Sequence, residues 1–293
     1  MSSGPAPAIP GSAGPVAGAG SAVALRSVVH LYPSAQGDVV ALRGVDLTVS
    51  PGTSVALLGP SGAGKSTVIG LLAGTFAASA GQVLVGGEDV GRMGAARLNR
   101  YRALDVSLVV QGATNNLLSY ATVAENLWFA QRGAVAHGRC PEMSPEQLLE
   151  VFGVAELAER PCASLTPGAQ QLAALVAGVA PLPGLLLLDE PTSRLEPGAR
   201  DRVLEAIGTL TARFPTTVVL VTHDAVVAGS VGRTITIRDG RVGSEGLDGA
   251  DFAVVAPDGS LQLPPEALGL VPPGSLVTVA VRDDHVELRP RER

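Results

Sequence analysis

Two kinds of apolar stretch alternate along the chain. Ala22–His30 and Asp46–Val49 alternate apolar with polar residues and read as half-buried strands, with Tyr32-Pro33 and Gln36-Gly37-Asp38 between them as turn material. Ser54–Leu58, Leu185–Leu188 and Thr217–Val221 are continuous apolar runs that stop at polar residues, the pattern of parallel strands buried on both faces. The first run leads into a Gly-rich loop and then a helix with Val68, Ile69, Leu71 and Leu72 on its apolar face. From about residue 113 to 164 the text is more polar and helical. It includes Thr122–Arg132 and Ser144–Phe152, the latter opened by Ser144-Pro145-Glu146 as cap and first turn. The pattern predicts an α/β domain with an inserted helical subdomain. After it, Phe252–Pro264 reads as two strands around Asp258-Gly259, Pro265–Leu270 as a short helical turn, and Leu276–Val281 with His285–Leu288 as a hairpin around Asp283-Asp284. Residues 251–290 are therefore expected to form a small β-rich extension.

Composition narrows the function classes. Only 3% of the 293 residues are aromatic while 46% are hydrophobic, so the core is built from Ala, Val and Leu. A net charge of −6 argues against nucleic acid or an anionic membrane surface as a direct partner. Residues 1–22, rich in Ala, Gly, Pro and Ser, carry no early positive charge and no apolar segment of a secretory signal; a disordered tail is expected. Cys140 and Cys162 lack CxxC spacing, which disfavours a disulfide framework or a zinc site and fits a reducing cytoplasm. The longest apolar stretch, Leu172–Leu188, is broken by Pro181, Pro183 and Gly184, so no membrane-spanning helix is expected.

Of the 21 basic residues a single one is lysine, Lys65, and it stands in Gly59-Pro60-Ser61-Gly62-Ala63-Gly64-Lys65-Ser66-Thr67. This is G-x-x-x-x-G-K-[ST] between a strand and a helix, the context the phosphate-binding motif requires. Glycines let backbone N–H groups converge on a phosphate, the helix N-terminus adds its positive end, Lys65 reaches the β- and γ-oxygens, and the Ser66 hydroxyl ligates Mg²⁺. ATP and Mg²⁺ are the ligands expected. The strand Leu185–Leu188 ends in Asp189-Glu190: Asp189 to hold Mg²⁺ and its waters, Glu190 to polarise an attacking water.

With these motifs in order, residues 23–245 resemble the ATP-binding subunits of ABC transporters, P-loop ATPases. The resemblance implies that Tyr32 stacks on adenine, that Gln111 in Leu108-Val109-Val110-Gln111 approaches Mg²⁺ beside the membrane subunit, and that His223 in Val221-Thr222-His223-Asp224 contacts the γ-phosphate. It further implies an ATPase at the inner face of the plasma membrane, an integral membrane permease as partner and a second ATP-binding subunit. Gln111–Leu118 followed by Thr122–Leu127 is most similar to the MacB/LolD-type export and lipoprotein-release branch.

Two departures bear on turnover. Where the family has Leu-Ser-Gly-Gly-Gln closing over the partner's ATP, this chain has Leu165-Thr166-Pro167-Gly168-Ala169. Thr166 and Gly168 keep two donors for the phosphate, whereas Pro167 lacks an N–H and Ala169 lacks an amide. Glu196 replaces a D-loop aspartate. A heterodimer with one degenerate site, a homodimer with two weakened sites, and a nucleotide-gated regulatory module with vestigial hydrolysis all stay open. Residues 251–290 are similar in turn pattern to the swapped-hairpin domain of AbrB-like regulators, which implies a dimerisation or regulatory module.

Overall fold

The computed structural model describes residues 19–35, 37–247, 250–255, 259–263 and 265–291; the expected tail lies almost wholly outside them. Strands β1 (Val23–Tyr32) and β2 (Val39–Val49) pair antiparallel, followed by β3 (Ser54–Leu58) and helix α1 (Lys65–Leu72). Next come β4 (Ala80–Val85), β5 (Glu88–Asp89), α2 (Ala95–Leu104) and β6 (Val106–Val109). Helices α3 (Val123–Ala136), α4 (Pro145–Val151) and α5 (Pro167–Val179) precede β7 (Leu185–Asp189), α6 (Pro197–Arg213), β8 (Thr217–Thr222) and α7 (Ala225–Ala228). The chain continues through β9 (Arg233–Arg238), β10 (Arg241–Leu247), β11 (Ala250–Ala253), α8 (Pro265–Leu268), β12 (Val277–Val281) and β13 (Val286–Pro290).

A four-stranded antiparallel sheet, β2-β1-β4-β5, stands beside a seven-stranded sheet in the order β11-β10-β9-β3-β8-β7-β6. Strands β6, β7, β8, β3 and β9 are parallel, and β10 and β11 add antiparallel at one edge. The continuous apolar runs have a direct cause. Leu185 and Leu187 face the core shared with the antiparallel sheet, and Leu186 and Leu188 face the core shared with α5 and α6. Val219 and Val221 divide from Val218 and Leu220 in the same way, so the middle of each strand is apolar on both faces and polar residues stand only at the strand ends.

Local chemistry sets the helix starts. Thr122 and Glu125 form a reciprocal capping box at α3, and Ser144 with Gln147 forms one at α4, with Pro145 in its first turn. Strand β2 is seven residues longer at its start than the expected Asp46–Val49, because backbone pairing with β1 carries it through Arg43-Gly44, where apolar alternation lapses. The alternation also missed β4, α2 and β6. Helix α2 is largely polar and is held by Tyr101, whose hydroxyl donates to the Leu72 carbonyl, and by Arg97 paired with Glu88 and Asp105.

The expected boundary at residue 251 falls inside β11, which pairs with β10 through Phe252 opposite Glu245. Val255 and Leu261 bridge antiparallel; Asp258, placed at the turn between them, lies outside the described residues. The expected hairpin is β12–β13, a separate two-stranded sheet.

Candidate nucleotide site

The C-terminal ends of β3, β7 and β8 open on one side of the parallel sheet, where α/β folds bind ligands. Gly59 ends β3; a Cβ there would lie 2.1 Å from the Ile237 carbonyl, so only glycine lets the loop leave the sheet past β9. Gly64 sits at the N-cap of α1 with φ 103°, and a Cβ there would meet the Ala41 carbonyl at 2.6 Å. The helix thus begins with backbone N–H groups facing an open cavity.

That cavity, about 790 Å³, is floored by Pro60, Ser61, Gly62, Gly64, Lys65, Ser66 and Thr67. Its walls are Asp189 at the end of β7 and Glu190 just after it, His223 after β8, Gln111 after β6, and Tyr32 with Val39–Ala41 from the antiparallel sheet. Segments more than 190 positions apart in sequence meet here. Gly59 and Ala63 do not line the space; Gly59 lends its carbonyl to Lys65, and Ala63 is buried and accepts from Gly240 N. Thr166 and Gly168 lie outside the cavity.

Lys65 Nζ donates to the Gly59 and Pro60 carbonyls at 2.7 and 2.9 Å. Burial holds the ammonium below its usual pKa, while the carboxylates of Glu190 and Asp189 pull it back up. Ser66 Oγ donates to Asp189 Oδ1 at 3.4 Å. Burial, then the neighbouring Glu190 charge, raises the Asp189 pKa, only partly offset by Ser66 and Lys65. A hydroxyl and a half-buried carboxylate short of positive charge, with Gln111 at the same cavity, suit Mg²⁺, which takes one or two carboxylates and fills its shell with water and phosphate oxygens.

Glu190 has φ 50°, a left-handed conformation uncommon for a non-glycine residue. Its N–H donates to the Val221 carbonyl on β8, and its carboxylate accepts from His223 Nδ1 at 2.9 Å. Tyr32 is part-exposed at the cavity mouth. Its hydroxyl is 3.3 Å from Thr67 Oγ1, and its ring packs edge-on to His30 and Phe76.

The sequence reading missed the residues that hold Gln111. Asn116 Oδ1 accepts from Val110 N, and its Nδ2 donates to the carbonyls of Val110 and Gly112; Asn115 Nδ2 donates to the Gln111 carbonyl. Gln111 Nε2 donates to Ser193 Oγ at 3.2 Å. The paired asparagines in a loop were the available signal, since amide side chains there bond to nearby backbone.

The altered signature segment opens a helix. Thr166 is the N-cap of α5, accepting from Ala169 N at 3.4 Å, and Pro167 occupies the first turn, where an N–H would have no helical partner and proline is favoured. Pro167 therefore completes a helix start. Gly168 is buried, and a Cβ there would stand 2.6 Å from the Ala199 Cβ; it allows α5 and α6 to approach.

Fold and site together define a P-loop ATPase whose parallel sheet is flanked by an antiparallel sheet and a helical region. The ABC transporter family profile matches residues 42–193, and the chain belongs to that family: it is an ATP-hydrolysing subunit of ABC type. It is 34% identical over 222 residues to the lipoprotein-releasing system ATP-binding protein LolD of Roseobacter denitrificans, covering 74% of this chain and 96% of that one. It is 37% identical over 236 residues to the methionine import ATP-binding protein MetN of Caulobacter vibrioides, covering 80% and 70%. Among solved structures, the dimeric ATP-binding cassette MJ0796 bound to ADP and Pi aligns with a TM-score of 0.67 at 26% identity, covering 77% of this chain and 98% of that one.

Proposed function

We propose that this chain binds Mg²⁺–ATP in the cavity above α1 and couples its hydrolysis to a membrane permease of the lipoprotein-release or export type. The observation that carries the reading is the convergence of Lys65, Ser66, Gln111, Asp189, Glu190 and His223 on one space. Lys65 exchanges its two loop carbonyls for phosphate oxygens, and the free N–H groups of the loop and helix N-terminus hold the rest of the phosphate chain. Ser66, Asp189 and Gln111 hold Mg²⁺, which when bound neutralises phosphate charge. Glu190 orients and polarises the attacking water, held in place by His223; His223 contacts the γ-phosphate, and Tyr32 stacks on adenine.

Partners follow from the surface. A cavity of about 750 Å³ lies between the helical region and the sheet, lined by Asn115–Leu118 beyond Gln111 and by Phe129 and Arg132 of α3. Tyr120, Trp128 and Phe129 are exposed nearby in a chain with few aromatics. This groove receives a cytoplasmic segment of the permease, so that its movement reaches Gln111. Among the described residues no helix is long and apolar enough to cross a membrane; in this reading the chain is held at the inner membrane face by the permease. A second copy supplies the signature segment across the nucleotide, as the dimeric cassette MJ0796 suggests.

LolD relatives support release, and the 37% identity to MetN favours import as a second reading. Steady-state ATPase activity of the purified chain over a protein concentration series, with and without the permease, tests the proposal. Activity per molecule rises with concentration and with permease; ATP binding without turnover under every condition overturns it in favour of the nucleotide-gated module.

A further inference from the structure

Three rings meet at one side of the nucleotide cavity in a chain that is only 3% aromatic. His30 and Tyr32 stand two positions apart on β1, and Phe76 comes from the segment between α1 and β4. The His30 and Phe76 rings lie near-parallel, their centroids 4.8 Å apart and their planes 25° from each other. Tyr32 stands almost upright against both, 4.7 Å from His30 at 83° and 5.8 Å from Phe76 at 72°. Stacked and edge-to-face pairs at such distances are the favourable arrangements of rings. The backbone holds the group together. Ser79 N donates to the Val29 carbonyl and Ser79 Oγ accepts from Leu31 N, which fastens the segment after Phe76 to β1. On α1, a Cβ at Gly70 would lie 2.6 Å from Phe76 Cζ, so glycine there admits the ring.

His30 has no part in the phosphate and Mg²⁺ chemistry described above. It is 7% exposed and does not line the cavity, and its buried Nδ1 has no hydrogen-bond partner among the described residues. An unpaired buried polar atom costs free energy, so what the imidazole contributes here is a ring packed against Tyr32. Tyr32 is 39% exposed at the cavity mouth. An unsupported ring there would sample several rotamers and lose that freedom when a ligand fixed it. Instead its hydroxyl is held near Thr67 Oγ1 and its ring against His30.

We infer that His30 is a positioning residue for nucleotide binding: its ring fixes the plane of Tyr32, and with it the face offered to the base, before the nucleotide arrives. Its effect is confined to ligands that carry a base, because the phosphate-binding groups belong to α1 and the loop before it. The inference rests on the stacking of adenine on Tyr32 proposed above.

The test compares equilibrium binding of Mg²⁺–ATP with that of Mg²⁺–tripolyphosphate, a phosphate chain without a base, to the full chain. Tyr32→Ala comes first and should weaken ATP while leaving tripolyphosphate unchanged. If the two ligands hold or fall alike in that variant, the stacking reading fails and the inference falls with it. Where Tyr32→Ala does separate them, His30→Ala is expected to weaken ATP about three- to tenfold, the range of one aromatic pair, and to leave tripolyphosphate within about twofold. His30→Phe, which restores a ring, is expected to return ATP affinity to within about twofold of the parent. Unchanged ATP affinity in His30→Ala, an equal loss for both ligands, or a base-dependent loss that His30→Phe does not restore overturns the inference and leaves His30 as core packing. Should His30→Ala not fold, His30→Leu, which keeps the bulk without the ring, is read by the same outcomes.

Discussion

His223 Nδ1 donates to Glu190 Oε1 at 2.9 Å across the mouths of two adjacent parallel strands. The bond fixes the rotamer of a carboxylate whose backbone is already held at φ 50° and tied through its N–H to Val221. A general base, the role proposed for Glu190, is effective only when aimed, and here both ends of the residue are restrained.

Glu190→Gln keeps the side-chain shape and removes the base. Turnover should fall by about 10²–10⁴-fold while ATP affinity stays within a few-fold, checked by steady-state hydrolysis beside equilibrium binding. His223→Ala should lower kcat more than it raises KM. In the double variant the losses should fall short of additive, because the two side chains act through one contact.

Asp189 carries a pH signature. Its pKa is raised above 3.8 in the folded chain by burial and by Glu190, so the folded state binds that proton more tightly than the unfolded state. The contribution of Asp189 to stability is therefore greatest below 3.8 and declines as pH rises through the raised value, leaving a penalty at neutral pH. Asp189→Asn should relieve it and raise Tm of the nucleotide-free protein by about 2 °C, while hydrolysis is lost. Mg²⁺ should stabilise the parent more than the variant. Thermal denaturation at pH 7, with and without Mg²⁺, reads both effects.

Asn116 ties the backbone on both sides of Gln111 with three hydrogen bonds. Asn116→Ala should leave ATP affinity within about twofold, since it touches no cavity-floor residue, yet lower permease-stimulated turnover about tenfold, in the range of losing 1–2 kcal/mol of positioning. Gln111→Ala should show the same split, and combining them should add little.

The signature segment is a helix start in this chain, so reverting it has two opposed effects. Pro167→Gly with Ala169→Gln restores an N–H and an amide toward the partner's nucleotide but loses the proline favoured in the first turn of α5. Turnover of the self-associated chain should rise about tenfold, the value of one regained hydrogen bond to a charged group, with Tm lowered by a few degrees. Paired ATPase and melting curves measure it.

The phosphate motif, the acidic pair and the buried strands were legible in the sequence because each is local. A Gly-rich turn, a lysine beside a helix start and four consecutive leucines carry their physical reason within a few residues. Gln111, Tyr32 and His223 were reachable only through their order along the chain and its family resemblance, since a lone Gln, Tyr or His has no local signature. Tertiary structure decided the rest. Whether Leu186 or Leu187 faces α5 depends on which layer covers each side of the sheet. Helix α2 follows from ion pairs to the flanking Glu88 and Asp105 and from a tyrosine bond to Leu72 at the end of α1, and Asn116 acts through the loop's folded path. Pro167 reads as a lost donor in one dimension and as the first turn of a helix in three, because a missing N–H matters only where something waits to accept it.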